Sequence, residues 1–105
     1  MKLLKNIKKS ISGSRYNITL HARKEMSPKE DDISEKELIG AILNGKIIED
    51  YADDKPFPSC LIFGMTEEGR PIHAVCAYSK EDDATIIITT YEPDAIRWND
   101  YRRRI

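Results

Sequence analysis

A chain of 105 residues, 40% apolar and 33% charged, has enough material for one modest core and too much apolar content for a disordered segment. Its apolar runs are only a few residues long, which excludes a membrane-spanning helix, and the lysine-punctuated start MKLLKNIKKS has no secretory apolar region. The net charge of −1 hides an asymmetry: residues 1–24 carry seven bases and no acid, residues 25–54 three bases and ten acids, and the remainder seven bases and eight acids.

Leu3, Leu4, Ile7 and Ile11 recur at three- and four-residue spacing, which predicts an amphipathic helix with lysines on its outer side and a stop near Gly13. A second, short helix is expected from Thr19 or Leu20 to Met26, capped by Thr19 and ended by Ser27-Pro28, with Ala22 and Met26 facing the core. The third helix has the clearest start: Ser34 and Glu37 form a capping box, and Ile33 with Leu38 fits a hydrophobic staple. Leu38, Ala41 and Ile42 make its buried stripe, widened by Ile39 or Leu43. Asn44-Gly45 ends it, with Gly45 expected in the left-handed conformation.

Beyond Gly45 the apolar period changes from 3.6 to 2. KIIEDY, SCLIFG, PIHAVCAY and ATIIITTY read as strands, and the short polar links MTEEGR and SKEDDA favour antiparallel hairpins. The expected fold is α+β, with N-terminal helices packed on a mostly antiparallel four-stranded sheet. One domain is expected over residues 1–105: a basic helical extension (1–17), a core (18–98) and a basic tail (99–105). If the basic ends meet on one face, they form a surface fit for phosphates.

Two histidines occur, His21 and His73. On the third strand, Ile72, Ala74, Cys76 and Tyr78 share the apolar face, which leaves His73, Val75 and Ala77 on the other, with room for a shallow concavity among small neighbours. A hydrogen-bonded structural histidine explains the same pattern. His21 precedes Glu25 by one helical turn, and that pairing can orient its ring. Cys60 and Cys76 lie in apolar runs and read as buried free thiols in a reducing, cytoplasmic setting. No metal-ligand spacing, glycine-rich phosphate loop or nucleophile elbow is present, so neither a metal nor a cofactor is expected. Acid–base work by His, Arg, Lys and Tyr remains. RNA cleavage needs little more: a base for the 2′-hydroxyl, an acid for the leaving oxygen and cations for the phosphorane.

LHARKEM, LNGKIIEDYADDKPFPSCLIFG, GRPIHAVCAY and IIITTYEPD…W together resemble the bacterial and archaeal domain of unknown function 4258 over roughly residues 18–98. That family resembles BrnT-like and MqsR-like toxins of the RelE/ParE-like class. The resemblance implies a RelE/ParE-toxin-like fold and a toxin–antitoxin role as a metal-independent mRNA endonuclease. The family histidines match His21 and His73 and the closing motif includes Tyr91, and these three would be catalytic; Arg23, Lys24 and Arg70, next to the histidines in sequence, and Arg102 of the basic tail would bind RNA phosphates. The implied partners are RNA or ribosome-bound mRNA and a cognate antitoxin. One departure stands out. Relatives often place arginine just before the helix methionine, where this chain has Glu25, and continue with arginine and glycine where it has SPKEDD. The rival reading is a non-catalytic binding domain acting through protein contacts, with the acidic segment 25–54 facing a basic partner.

Overall fold

The computed structural model describes residues 2–105. Helix α1 (Lys2–Ser12), strand β1 (Tyr16–Ile18) and helices α2 (Leu20–Met26) and α3 (Glu35–Asn44) precede strands β2 (Lys46–Tyr51), β3 (Ser59–Met65), β4 (Pro71–Ser79) and β5 (Ala84–Tyr91). Two short strands, β6 (Trp98–Asn99) and β7 (Arg103–Arg104), form a C-terminal hairpin.

The local signals act as their chemistry requires. The Thr19 hydroxyl accepts the Ala22 N–H at 3.1 Å and caps α2. At the start of α3, Ser34 and Glu37 exchange hydrogen bonds at 3.0 Å, side chain to backbone in both directions. These caps satisfy amides that the first helical turn leaves unpaired. Gly45 differs from expectation: it is extended (φ −84°, ψ 173°) rather than left-handed. Its small size serves a close approach instead, since a Cβ there would lie 2.6 Å from Ile62 Cγ2 and 2.8 Å from the Ala41 carbonyl oxygen.

The sheet has five strands, not four, in the order β1-β5-β4-β3-β2. Strands β2 to β5 form the antiparallel meander read from the short links. Strand β1 adds to β5 in parallel, Tyr16 opposite Thr85 and Ile18 opposite Ile87, so the sheet is mixed. Three residues are too few to show a two-residue period, and the strand forms because β5 offers an unpaired edge.

One face of the sheet carries the main core. Ile7 and Ile11 of α1, Ala22 and Met26 of α2, and Leu38, Ala41 and Ile42 of α3 pack with Cys60, Ile62, Ile72, Ala74, Cys76 and Ile87. The basic N-terminal segment is therefore part of this core rather than an appendage. Both thiols are buried; burial pushes Cys60 up to about 12 and Cys76 well above its ordinary value. Leu38 is fully buried, so Leu38→Ala should cost about 2–4 kcal/mol through forfeited transfer energy and an unfilled cavity. Urea unfolding checks this, and a loss below about 1 kcal/mol would remove Leu38 from the core.

The second face is covered by the C-terminal hairpin. Leu61, Phe63 and His73 are buried outside the main cluster, His73 beneath Trp98 and Phe63 against Tyr101. The two basic ends of the chain therefore lie on opposite sides of the sheet, not on a shared surface.

Candidate functional site

His73 stands at the centre of the second face, paired across the ladder with Phe63 on β3 and Tyr91 on β5. The concavity expected beside it is filled. Residues on its own strand are small, but cross-strand neighbours and the hairpin are not: the Trp98 ring meets the imidazole edge-on at 4.4 Å, Tyr91 at 5.3 Å and Phe63 at 5.8 Å. The ring has 0% exposure and both nitrogens are engaged. Nε2–H donates to the Tyr101 carbonyl at 2.6 Å, and Nδ1 accepts from the Tyr91 hydroxyl at 3.3 Å, which fixes the neutral tautomer with its proton on Nε2. Burial lowers the His73 pKa, against a smaller opposing effect of the Tyr101 carbonyl. Burial likewise raises the Tyr91 hydroxyl.

The turn that delivers the Tyr101 carbonyl is tight. Arg102 N–H bonds the Asn99 carbonyl at 3.1 Å, with Asp100 and Tyr101 both left-handed at φ 56° and 60°. Aspartate tolerates that conformation, but for tyrosine it carries strain, held here by the bond to His73 and the Phe63 contact.

His21 lies elsewhere. It is on α2, which packs in the main core on the other face, and its side chain is 67% exposed. Its Nε2 lies 3.3 Å from Glu25 Oε1, the pairing read from the spacing. Glu25 has a second task. β1 ends at Ile18, so β5 continues past it with an open edge, which side chains then close. The Thr19 hydroxyl donates to the Ile88 carbonyl at 3.0 Å, Glu25 accepts the Thr90 N–H at 3.1 Å, and Asp31 accepts the Glu92 N–H at 2.7 Å. Two carboxylates thus take the place of a strand's carbonyls. Burial raises the Glu25 pKa despite that amide. Arg23 lies 3.7 Å from Glu35, and Lys24 is exposed.

Arg70 is a staple, with its side chain 24% exposed. Its Nε donates to Glu92 at 2.5 Å, Nη1 to the Asp32 carbonyl at 2.8 Å with Glu37 at 3.4 Å, and Nη2 to the Asp31 carbonyl. The guanidinium ties the start of β4 to the 27–34 loop, to α3 and to the end of β5. The SPKEDD segment thus supplies Arg70 with backbone acceptors and β5 with a carboxylate.

The exposed cations near His73 are those of the C-terminal segment. Arg102 lies over the Phe63 ring at 5.1 Å and pairs with Asp100 at 2.8 Å. Arg104 lies over Trp98 at 4.7 Å and pairs with Glu49 at 2.8 Å. Among the described residues, Arg97 and Arg103 make no ion pair. Tyr91, Glu92, Asp94, Arg97, Trp98 and Arg104 line a cleft of about 300 Å³ beside the buried histidine. Of the site residues expected from sequence, the fold brings His73 and Tyr91 together, with Arg102 close to Phe63 in the same layer. It leaves His21, Arg23 and Lys24 on α2 and Arg70 in its staple. Sequence reasoning gave Tyr101 and Glu49 no role at this site, and took Arg104 only as one of the basic tail residues fit for phosphates. The signal for Tyr101 and Arg104 was the run W-N-D-Y-R-R-R, where two aromatic residues flank a turn-forming Asn-Asp pair and three arginines follow; Glu49, on β2, left none.

The model of the family described as domain of unknown function (DUF4258) matches residues 18–92. This chain belongs to that family. No curated protein and no solved structure matches it. The family segment contains His21, Arg70, His73 and Tyr91 and ends before Trp98, so the hairpin over His73 lies outside the matched DUF4258 segment. Among the described residues no three His, Cys, Asp or Glu side chains converge as metal ligands, and no helix is long and apolar enough to cross a membrane.

Proposed function

We propose that this chain is an RNA-binding domain of the toxin type, and that it holds single-stranded RNA at the C-terminal hairpin. The observation that carries the reading is Arg102 over Phe63 and Arg104 over Trp98 beside a cleft that Arg97 and Arg104 line with Tyr91, Trp98, Glu92 and Asp94, with Arg103 exposed on the same hairpin. Single strands are held by cations along the backbone and flat faces under the bases; here Phe63 and Trp98 are buried beneath Arg102 and Arg104, so the outward faces are those guanidiniums and the half-buried Tyr91 and Tyr101. Arg97 and Arg103 are the cations best able to meet phosphate, because Arg102 and Arg104 already face carboxylates. The toxin part of the reading rests on the motif resemblance, and a cognate antitoxin is the partner it implies.

Strand cleavage asks for a pair of groups that exchange protons with the reacting oxygens. His73 has both nitrogens occupied and no exposed surface, and His21 belongs to the other face. The geometry thus favours binding over cutting.

The test is fluorescence anisotropy with a labelled single-stranded RNA across a salt series, using the intact protein. Changing Arg97, Arg102, Arg103 and Arg104 to glutamine should weaken binding and flatten the salt dependence by roughly 0.7 in log–log slope for each phosphate left without its arginine. Changing Lys2, Lys5, Lys8 and Lys9 on α1 should leave the slope unaltered. An unchanged slope in the arginine variant overturns the assignment. The same RNA, run on a denaturing gel with and without chelator, should stay intact; cut strands would restore His73 and Tyr91 to a catalytic role.

A further inference from the structure

Helix α3 has apolar residues on two sides. Leu38, Ala41 and Ile42 face the main core and half-buried Ile39 packs at its edge; Ile39 and Leu43 also border a groove completed by Met65 at the end of β3. The groove encloses about 610 Å³, and Leu43 and Met65 are each 38% exposed. One end of it is rigid. Asn44 Nδ2 donates to the Gly40 carbonyl at 2.9 Å and the Met65 carbonyl at 2.8 Å, and its Oδ1 accepts the Met65 N–H at 3.2 Å. This fixes the C-terminal turn of α3 against β3.

Gly40 lies in the groove, mid-helix, where glycine weakens a helix relative to alanine. The chain's own packing does not ask for it, since a Cβ there would meet nothing within 4 Å. A bare backbone on an exposed apolar helix face lets another backbone approach closely. The rim is acidic: Glu67 and Glu68 flank the groove on the β3–β4 turn and make no ion pair among the described residues, while Glu37 lies beside Arg70. Lys36 is the lone base lining it.

We propose that this groove is a docking site for a basic amphipathic helix of a partner protein, whose apolar side chains, one turn apart, enter between Ile39, Leu43 and Met65. Its lysines or arginines meet Glu67 and Glu68, and its backbone passes over Gly40. The charge match selects this occupant: an apolar floor calls for an amphipathic segment, and unpaired carboxylates on the rim call for cations and repel nucleic acid. The site is separate from the RNA-binding hairpin, and either can fail without the other.

The probe is a short, capped helical peptide of leucine, lysine and alanine, its leucines spaced three and four residues apart. Its control replaces every lysine with glutamate. Amide chemical shifts of the ¹⁵N-labelled full chain report binding. The lysine peptide should perturb Ile39 to Asn44 and Met65 to Glu68 in a saturable way, and the glutamate peptide should not. Leu43→Ser should weaken binding about tenfold, as loss of one buried apolar anchor does. Glu67→Gln and Glu68→Gln should each weaken it roughly two- to fivefold at low salt, the range for exposed ion pairs. Gly40→Ala separates docking from folding: it should raise the melting temperature by a few degrees yet weaken binding. The proposal is overturned by shifts that do not cluster at the groove, by equal binding of the two peptides, by Gly40→Ala or Leu43→Ser binding as the parent does, or by a single-stranded RNA that shifts these same amides.

Discussion

Gly64→Ala should destabilise the protein by about 3 kcal/mol or more, at or above the upper end of the usual cost of overpacking. Gly64 lies on β3 where α3 crosses it. A Cβ there would overlap the Ala41 carbonyl oxygen and lie 2.6 Å from the carbonyl carbon. Both atoms are backbone, so no side-chain rotation relieves the clash and the helix itself must lift. Lifting α3 also withdraws Leu38, Ala41 and Ile42 from the core. A domain of this size has roughly 5–15 kcal/mol in total, so the variant should unfold at a much lower urea concentration than the parent. A change below about 1 kcal/mol would mean that α3 does not sit on β3 this closely.

What the sequence disclosed follows the range of the interactions involved. Caps are local: Thr19, Ser34 and Glu37 meet backbone within one turn, so their spacing alone predicts them. The β2 to β5 meander was legible because its links are short and its alternation long enough to count. Strand β1 was not, because three residues gain their strand character from the edge of β5, far along the chain. Gly45 shows the same limit, since its neighbours Ile62 and Phe63 come from β3 rather than from the helix it ends. At the candidate site, the face that His73 occupies followed from alternation. What covers it did not, because Trp98 and Tyr101 arrive from a hairpin whose docking no period encodes. Arg70 stands three residues before His73, and an arginine that near a histidine invites assignment as a phosphate ligand. Its acceptors, the carbonyls of Asp31 and Asp32, are backbone groups and leave no mark in the sequence.

Trp98→Ala should cost about 3–5 kcal/mol, the usual range for a buried large aromatic, because it opens the lid over His73 and removes the face against which Arg104 lies. Its sharper counterpart is a dependence on pH that His73 alone should impose. Burial holds the folded-state pKa of His73 below its ordinary 6.5. As pH falls through 6.5, the unfolded chain takes up a proton that the folded chain refuses, so stability declines with falling pH. The decline ends only below the folded pKa, where both states carry the proton. Its slope cannot exceed about 1.4 kcal/mol per pH unit for one site. His73→Gln can still donate an amide hydrogen to the Tyr101 carbonyl but cannot titrate. The variant should lose stability at neutral pH through imperfect packing against Trp98, and that loss should shrink steadily below pH 6.5. His21→Gln, on the exposed side of α2, should change stability by less than about 0.5 kcal/mol at neutral pH. Urea unfolding at several pH values measures all three. If the parent and His73→Gln curves run parallel across the acid range, His73 is not a buried neutral ring and the hairpin does not cover it.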